Sequence, residues 1–562
     1  MSLLVRRLFA SRAFLLALPL LLFLALTAQA GTLAPLNPAF VDYLAARAEG
    51  ELEGASSFLP RGGRIPSPVD LSHLAGRSYF EGLSKADLPE AYDLRTLGFV
   101  TPVRDQSPYG SCWTFAALAS LESSALRAGV VSPDYAEMHL GYFGAVDQSG
   151  ALPGFDDYAA DTPLDELMDA GGDDFQAVAL LARGTGAVDE ADAPYGQVPG
   201  AAVPLSRRLA HVYNFYYDLD TRYQKASVDN IKGVLQTYGA VSVGVYADDN
   251  MGGNVSEDPY WNGTHNAYYV PAGSGQSSNH AVTIVGWDDA FSASNFNSPP
   301  AGDGAWIVKN SWGPAFGDGG YFYLSYYDSV LDTGAAYVGD VVDSSERIYQ
   351  YDPLGWVLSY SPVTEGNETA WFAALFTAGV TEASLESAAV ANDELQSVAF
   401  YAGGVGNEYE VYVYAGGTGA PRSGALVAQQ AGTLALPGFH TVVLENPVVI
   451  EAGTRFAVVV RLKTPGYAFP VAIEAMSEGY SDKAEANVGE TFVSADGTTW
   501  ADATTIDPAN PTSSVCLKAF SRATTDDPTP LPSSGGGGGC NLGGSGTLLA
   551  LLPLVLVFRS RR

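Results

Sequence analysis

The sequence predicts an α+β domain followed by an all-β sandwich, and three observations carry that prediction. From Leu88 to about Tyr327, stretches rich in Ala, Leu and Glu come first and strand-like apolar runs follow. From about Ile348 to Arg522 the helical patterns fade, and short alternating runs recur between Gly and Pro turns. At 562 residues the chain exceeds what one hydrophobic core serves.

The ends differ from the middle. Residues 1–30 carry Arg6, Arg7 and Arg12, then "AFLLALPLLLFLALT", then Ala28, Gln29 and Ala30, the three-part layout of a secretory signal peptide cut after Ala30. Residues 31–87, rich in Pro, Gly and Ala, read as a propeptide or N-terminal extension with a short helix at "NPAFVDYLAARAEGELE". The α+β domain spans 88–340. Its helices are expected at "CWTFAALASLESSALRAG" and "VDNIKGVLQTYG", and its strands at "AVSVGVYA", "HAVTIVGWDD", "GAWIVKNSWG" and "GGYFYLSYY". The sandwich spans 345–522, with strands at "LQSVAFYAG", "EYEVYVYAGG", "FHTVVLENPVVIEAG" and "TRFAVVVRLKTPG". Residues 523–539 form a Pro/Gly/Ser linker, and 540–562 a tail whose apolar run, Leu548 to Phe558, falls short of the roughly 20 residues of a spanning helix.

Composition narrows the function. A formal net charge of -33, from 29 Lys plus Arg against 62 Asp plus Glu, repels nucleic acid and anionic membrane surfaces. Membrane contact is therefore expected only through the terminal segments. The three cysteines, Cys112, Cys516 and Cys540, are too few for a disulfide framework. Cys516 sits in the strand-like "SSVCLKAF" and Cys540 in the tail. Cys112 is different: it opens a helical stretch after Ser111, a residue suited to capping, and Gly129 supplies the stop. A sulfur at a helix N-terminus is favoured as the nucleophilic thiolate. His280 opens one strand run and Asn310 follows another. Cys, His and Asn are the parts of a nucleophile–base pair with an amide orienting the imidazole.

Three ordered segments give that set a family context. "LPEAYDLRTLGFVTPVRDQSPYGSCWTF", "NHAVTIVGWDD" and "WIVKNSWGPAFGDGGYFYLSY" resemble the mature N-terminus, histidine segment and asparagine segment of the papain-like cysteine peptidases. The resemblance implies a two-lobed domain, one lobe helical and one β-barrel-like. It also implies Cys112 as nucleophile, His280 as general base and acid, Asn310 as orienter, and Trp312 as a shield of the His–Asn bond. Gln106 would join the Cys112 N–H in the oxyanion hole. Gly171 and Gly172, with Trp113, would line the cleft and meet substrate backbone. The reaction implied is peptide-bond hydrolysis through a thiolate–imidazolium pair and a thioester, on protein or peptide substrates, with no cofactor and no metal. His73, His139, His211, His265 and His440 read as surface or satisfied core residues.

Two departures from the family stand out. Tyr109 occupies the place of a cysteine that usually braces the nucleophile's turn, so packing must hold that turn. His280 and Asn310 also lie further from Cys112 than the family's roughly 130 to 150 residues. Insertions are implied at "AFSASNFNSPPAGDG" and at the acidic "DDYAADTPLDELMDAGGDD", either of which could reshape the cleft. The acidic stretch lacks the alternating Asp pattern of a Ca²⁺ loop. Residues 345–522 resemble the lectin-like domains that follow such peptidases, which leaves surface glycans as a partner class, although Trp356, Trp371 and Tyr401 fit a sandwich core. The tail, with Cys540 after a Gly run, resembles CTERM-type sorting signals of bacterial surface proteins and implies a surface location. Two other functions use the same features: an inactive, adhesin-like surface binding protein, and a cysteine transpeptidase.

Overall fold

The structure, a computed structural model, describes residues 31–48, 62–80, 88–148 and 152–526, apart from 157, 160, 219, 221–223, 249–250, 253–257, 344–345, 380–390 and 509. The expected signal peptide and sorting tail lie outside the described residues. Among the described residues, no helix is long and apolar enough to cross a membrane.

Among the described residues the helices are α1 (Pro38–Ala48), α2 (Cys112–Arg127), α3 (Glu137–Ala145), the short α4 (Leu164–Met168), α5 (Asp174–Ala182) and α6 (Gln224–Thr237). The expected helices are α1, α2 and α6. Helix α2 is buried along nearly its whole length because strands pack on it as well as helices. It stops as the composition suggests, at Gly129 with φ +86°, the left-handed conformation that glycine adopts without a Cβ penalty. Ser111 does not cap it through its side chain.

The barrel-like lobe is built from β1 (Arg208–Tyr216), β2 (Val241–Val245), β3 (His280–Asp288), β4 (Ala305–Lys309), β5 (Tyr321–Ser325) and β6 (Thr333–Asp340), in the order β1-β6-β2-β3-β4-β5. Its core holds Trp261, Trp287, Trp306 and Phe322. Helix α2 crosses β3 and β6, and that packing seats the helical lobe on the sheet.

The second domain is the expected sandwich. One sheet contains β7 (Thr369–Thr377), β9 (Asn407–Ala415), β10 (Ala425–Leu434) and β12 (Arg455–Lys463). The facing strands are β8 (Asn392–Ala402), β11 (Gly438–Ile450) and β13 (Leu517–Thr524). Phe372 and Val458 from one face meet Phe400 and Ala519 from the other.

The two domains share a sheet. Strand β11 pairs antiparallel with β1, Gly438 opposite Tyr213 and His440 opposite His211, so thirteen strands run from the sandwich into the barrel-like lobe. One core cluster crosses the same boundary, with Trp113, Leu180 and Tyr337 packed together with Trp356, Tyr401, Phe439 and Phe520. Local patterning shows where each strand is. It does not show which edges meet, because any free edge offers the same unpaired N–H and C=O groups.

The N-terminal extension is ordered against both domains. Thr32 and Leu33 add an edge strand opposite Ser361 and Tyr360 of the sandwich. Phe40 of α1 packs edge-on to Tyr480, centroids 5.2 Å apart. Residues 62–65 then cross between the lobes, and Tyr79 ends the path with its N–H on Asn230 Oδ1 (2.8 Å) and its hydroxyl on the Asn214 carbonyl (2.9 Å).

Candidate active site

Strands β3 and β4 pair antiparallel with Thr283 opposite Lys309, which places the start of β3 and the end of β4 at one end of the sheet. His280 is the first residue of β3 and Asn310 the first after β4, so they meet: His280 Nε2 is 2.8 Å from Asn310 Oδ1. An Nε2–H directed at that oxygen leaves Nδ1 with the ring lone pair, and Nδ1 has no hydrogen-bond partner. Trp312 stacks on the imidazole, centroids 4.8 Å apart at 27°. The loop joining β3 to β4 is at the other end of these strands. The first of the two inserted segments, expected as a possible modifier of the cleft, therefore lies away from it.

Cys112, fully buried at the start of α2, accepts the backbone N–H of Ala281 on its Sγ at 3.2 Å. The sulfur thus lies beside the residue that follows His280. Gln106 is held by its surroundings at every polar group. Its N–H donates to the Ser311 carbonyl (2.8 Å), its Oε1 accepts the Ser311 hydroxyl (2.6 Å), and its carbonyl accepts the Tyr195 hydroxyl (2.7 Å). Its Nε2 reaches the carbonyls of Tyr109 (3.0 Å) and Gly62 (3.2 Å).

The turn before Cys112 carries Tyr109, and Tyr195 braces it. The Tyr195 ring meets Tyr109 and Phe115 edge-on, at 5.8 and 5.2 Å, and its hydroxyl is 2.7 Å from Ser111 Oγ. Asp169 adds a hydrogen bond from the Gly110 N–H at 2.6 Å. Ser111 is thus engaged sideways, which explains the missing cap, and the brace is polar as well as packed. No pattern around Tyr195 in "ADAPYG" marks it for this role.

Gly171 and Gly172 lie near the end of the acidic insertion, which does border the cleft. Gly172 donates to the Gly63 carbonyl (2.8 Å) and accepts the Ile65 N–H (3.0 Å), while Asn279 accepts from Gly63 (3.2 Å) and Arg64 (3.1 Å) on the other wall. A Cβ on Gly172 would lie 2.5 Å from the Trp113 ring, so only glycine fits above that indole. Residues 62–65 thereby occupy the groove beside Cys112. The composition of "RGGRIP" gives two glycines as its one hint of a close backbone approach.

Burial sets the electrostatics. Burial pushes the Cys112 thiol up to about 12, against smaller lowering by the Ala281 N–H and Arg64. Burial pushes His280 down to about 4, against the Asn310 hydrogen bond. At this burial the pair rests as neutral thiol and neutral imidazole, in place of the thiolate expected from the helix N-terminus: desolvation outweighs the dipole.

Residues 88–140 and 168–336 match the family model described as papain family cysteine protease, and residues 348–521 match that of the lectin like domain. The chain joins a papain-family cysteine protease domain to a lectin-like domain. The protease domain is 27% identical over 266 residues to a cathepsin L-like peptidase of Aedes aegypti, covering 47% of this chain and 64% of that protein. It is 29% identical over 241 residues to a viral cathepsin of Heliothis zea nuclear polyhedrosis virus, covering 43% and 53%. The chain thus spans less than two thirds of the length of these relatives. Both domains align with the crystal structure of the cysteine protease and lectin-like domains of Cwp84, a surface layer associated protein of Clostridium difficile. That match has 23% identity and a TM-score of 0.66, and covers 89% of this chain and 99% of that one. A clostridial Cwp84 structure after propeptide cleavage matches with 24% identity and a TM-score of 0.60, over 77% and 99%. At these identities the likeness is one of fold: a papain-like protease domain carrying a lectin-like sandwich.

Proposed function

We propose that the chain is an exported, surface-associated cysteine endopeptidase made with residues 62–65 of its N-terminal extension covering the groove. The observation that carries this reading is the His280 imidazole, oriented by Asn310 and with its Nδ1 unengaged, on the residue just before Ala281, whose N–H reaches the Cys112 sulfur. When the extension leaves, the Cys112 proton passes to His280 Nδ1, and the two charges then compensate one another. The thiolate adds to the substrate carbonyl, whose oxyanion is held by the Gln106 Nε2–H and the Cys112 N–H. Collapse forms a thioester as His280 gives the proton to the departing amine. Water, deprotonated by His280, then releases the acid and the thiol. Trp312 keeps water from the His280–Asn310 bond, and Gly171 and Gly172 align substrate backbone over Trp113.

A surface location rests on the expected signal peptide and sorting tail, and on the surface association of Cwp84. Trp356 and Tyr401 are buried in the core cluster that joins the two domains. Trp371 instead stacks on Tyr412 at 5.7 Å, partly buried, with Arg422 above it.

The test is labelling of the proteolytically activated chain by a papain-type epoxide, with cleavage of denatured protein. Labelling and turnover that vanish in Cys112→Ala support the proposal. Identical behaviour of the variant refutes it, and product capture by an added amine acceptor would reassign the chemistry to transpeptidation.

A further inference from the structure

Arg64 is the residue of the N-terminal extension whose side chain is hardest to place by burial alone. Arg64 is only 8% exposed within the cleft, although a buried charge without partners is strongly disfavoured. The partners are specific. Nη1 donates to Ser278 Oγ (2.8 Å), Nη2 donates to Thr333 Oγ1 (2.7 Å), and Nη2 is 3.7 Å from Asp332 Oδ1. Asp173 and Asp174 line the same cavity of about 220 Å³, with Ser278, Asp332 and Thr333. Burial would lower the Arg64 pKa, yet Asp332, Asp174 and Asp173 hold it above its ordinary value.

The wall is shaped for this group. Strand β2 reads Val-Ser-Val-Gly-Val, and a Cβ on Gly244 would lie 2.4 Å from Arg64 Cζ. Glycine inside a strand weakens it, and here it gives the flat guanidinium room against the backbone. Ser242 on the same strand holds Asp174 Oδ1 at 2.8 Å, and Tyr337 holds it from β6 at 3.1 Å. The carboxylate is thereby fixed before any ligand arrives.

Gly62 offers its carbonyl to Gln106, while Arg64, two residues on, pairs with Gly172. A substrate laid along the same groove would place a side chain in this pocket within two residues of the carbonyl under attack. Removal of the extension leaves Asp174 and its neighbours facing an open cavity without a counter-charge. We propose that this cavity is a specificity pocket for a basic side chain, and that the peptidase selects an Arg or Lys within two residues of the scissile bond.

This inference rests on the endopeptidase reading, and the experiment separates the two. The full chain, activated by limited proteolysis of its extension, is given internally quenched peptides in which Arg, Lys, citrulline or Leu is placed in turn at each position around one bond. Citrulline keeps the shape of Arg without its charge. The expected result is a kcat/KM about 10- to 100-fold higher for Arg than for citrulline at one position. That ratio should collapse in Asp174→Asn and in Asp332→Asn. In Gly244→Ala, peptides with Arg should lose turnover while those with a small residue at that position keep it. Equal rates for Arg and citrulline at every position, or a preference for Leu, with Cys112 labelled and peptides cut, would overturn the pocket and leave the endopeptidase. No labelling and no cutting would remove both.

Discussion

The side-chain amide of Gln106 donates to the carbonyl oxygen of Gly62 at 3.2 Å, so a peptide carbonyl of the chain itself rests on the donor proposed for the oxyanion. The same donor should matter when a substrate carbonyl becomes negative. Gln106→Ala in the activated chain is expected to lower kcat by about 100- to 1000-fold with a smaller change in KM, measured on a single fluorogenic peptide.

Gly63 makes the cover possible. Its φ is +134°, and a Cβ there would lie 1.7 Å from the Gly110 carbonyl oxygen. Gly63→Ala therefore cannot keep the segment seated. The full chain carrying it should react with a thiol reagent at Cys112 well below pH 12, without any activating cleavage. Unchanged slow alkylation would show that the segment does not control access.

Tyr195 stands in for a covalent brace. Tyr195→Phe keeps the ring contacts and removes the hydroxyl from Ser111 Oγ and the Gln106 carbonyl. A loss of about 1 to 2 kcal/mol in unfolding free energy is expected, with a fall in kcat because both partners flank the nucleophile.

The shared sheet makes the protease domain dependent on its neighbour. Ending the chain at residue 345 would bare the β1 edge opposite Gly438–His440 and the apolar surface now packed on Trp356, Tyr401 and Phe439. Such a truncation should aggregate or melt well below the two-domain protein in a thermal scan.

The junction also responds to acid. His211 and His440 face each other with centroids 5.7 Å apart. Burial, then Arg208, lower His211 from 6.5 to about 4, opposed by Asp340, while burial, then His211, lower His440 from 6.5 to about 3. The unfolded chain takes up these protons first. The stability contributed by the neutral pair is therefore complete above pH 6.5 and is lost as pH falls through the interval down to the folded values. Denaturant unfolding at about pH 7 and about pH 5 should show a larger loss in the wild type than in the His211→Gln, His440→Gln double variant.

Much of the architecture is legible in the sequence because it is local. Short alternating or continuous apolar runs mark β3, β4, β8, β11 and β12, and the Ala-rich run up to Gly129 marks α2. Less of the site is legible. The motifs around Cys112, His280 and Asn310 name the residues, but Tyr195, Asp169 and Asp174 reach the same place from segments with no motif, and their chemistry exists only through neighbours distant in the chain.

By itself the sequence determined the two-domain order, the helix that opens on Cys112, and Cys112, His280 and Asn310 as candidate site residues, since each follows from short-range pattern or motif. The tertiary structure decided what lies in that groove, which strand edges join the domains, and the protonation of Cys112 and His280. These depend on burial and on contacts between residues hundreds of positions apart. Desolvation by burial outweighs the helix dipole, and no local pattern records that balance.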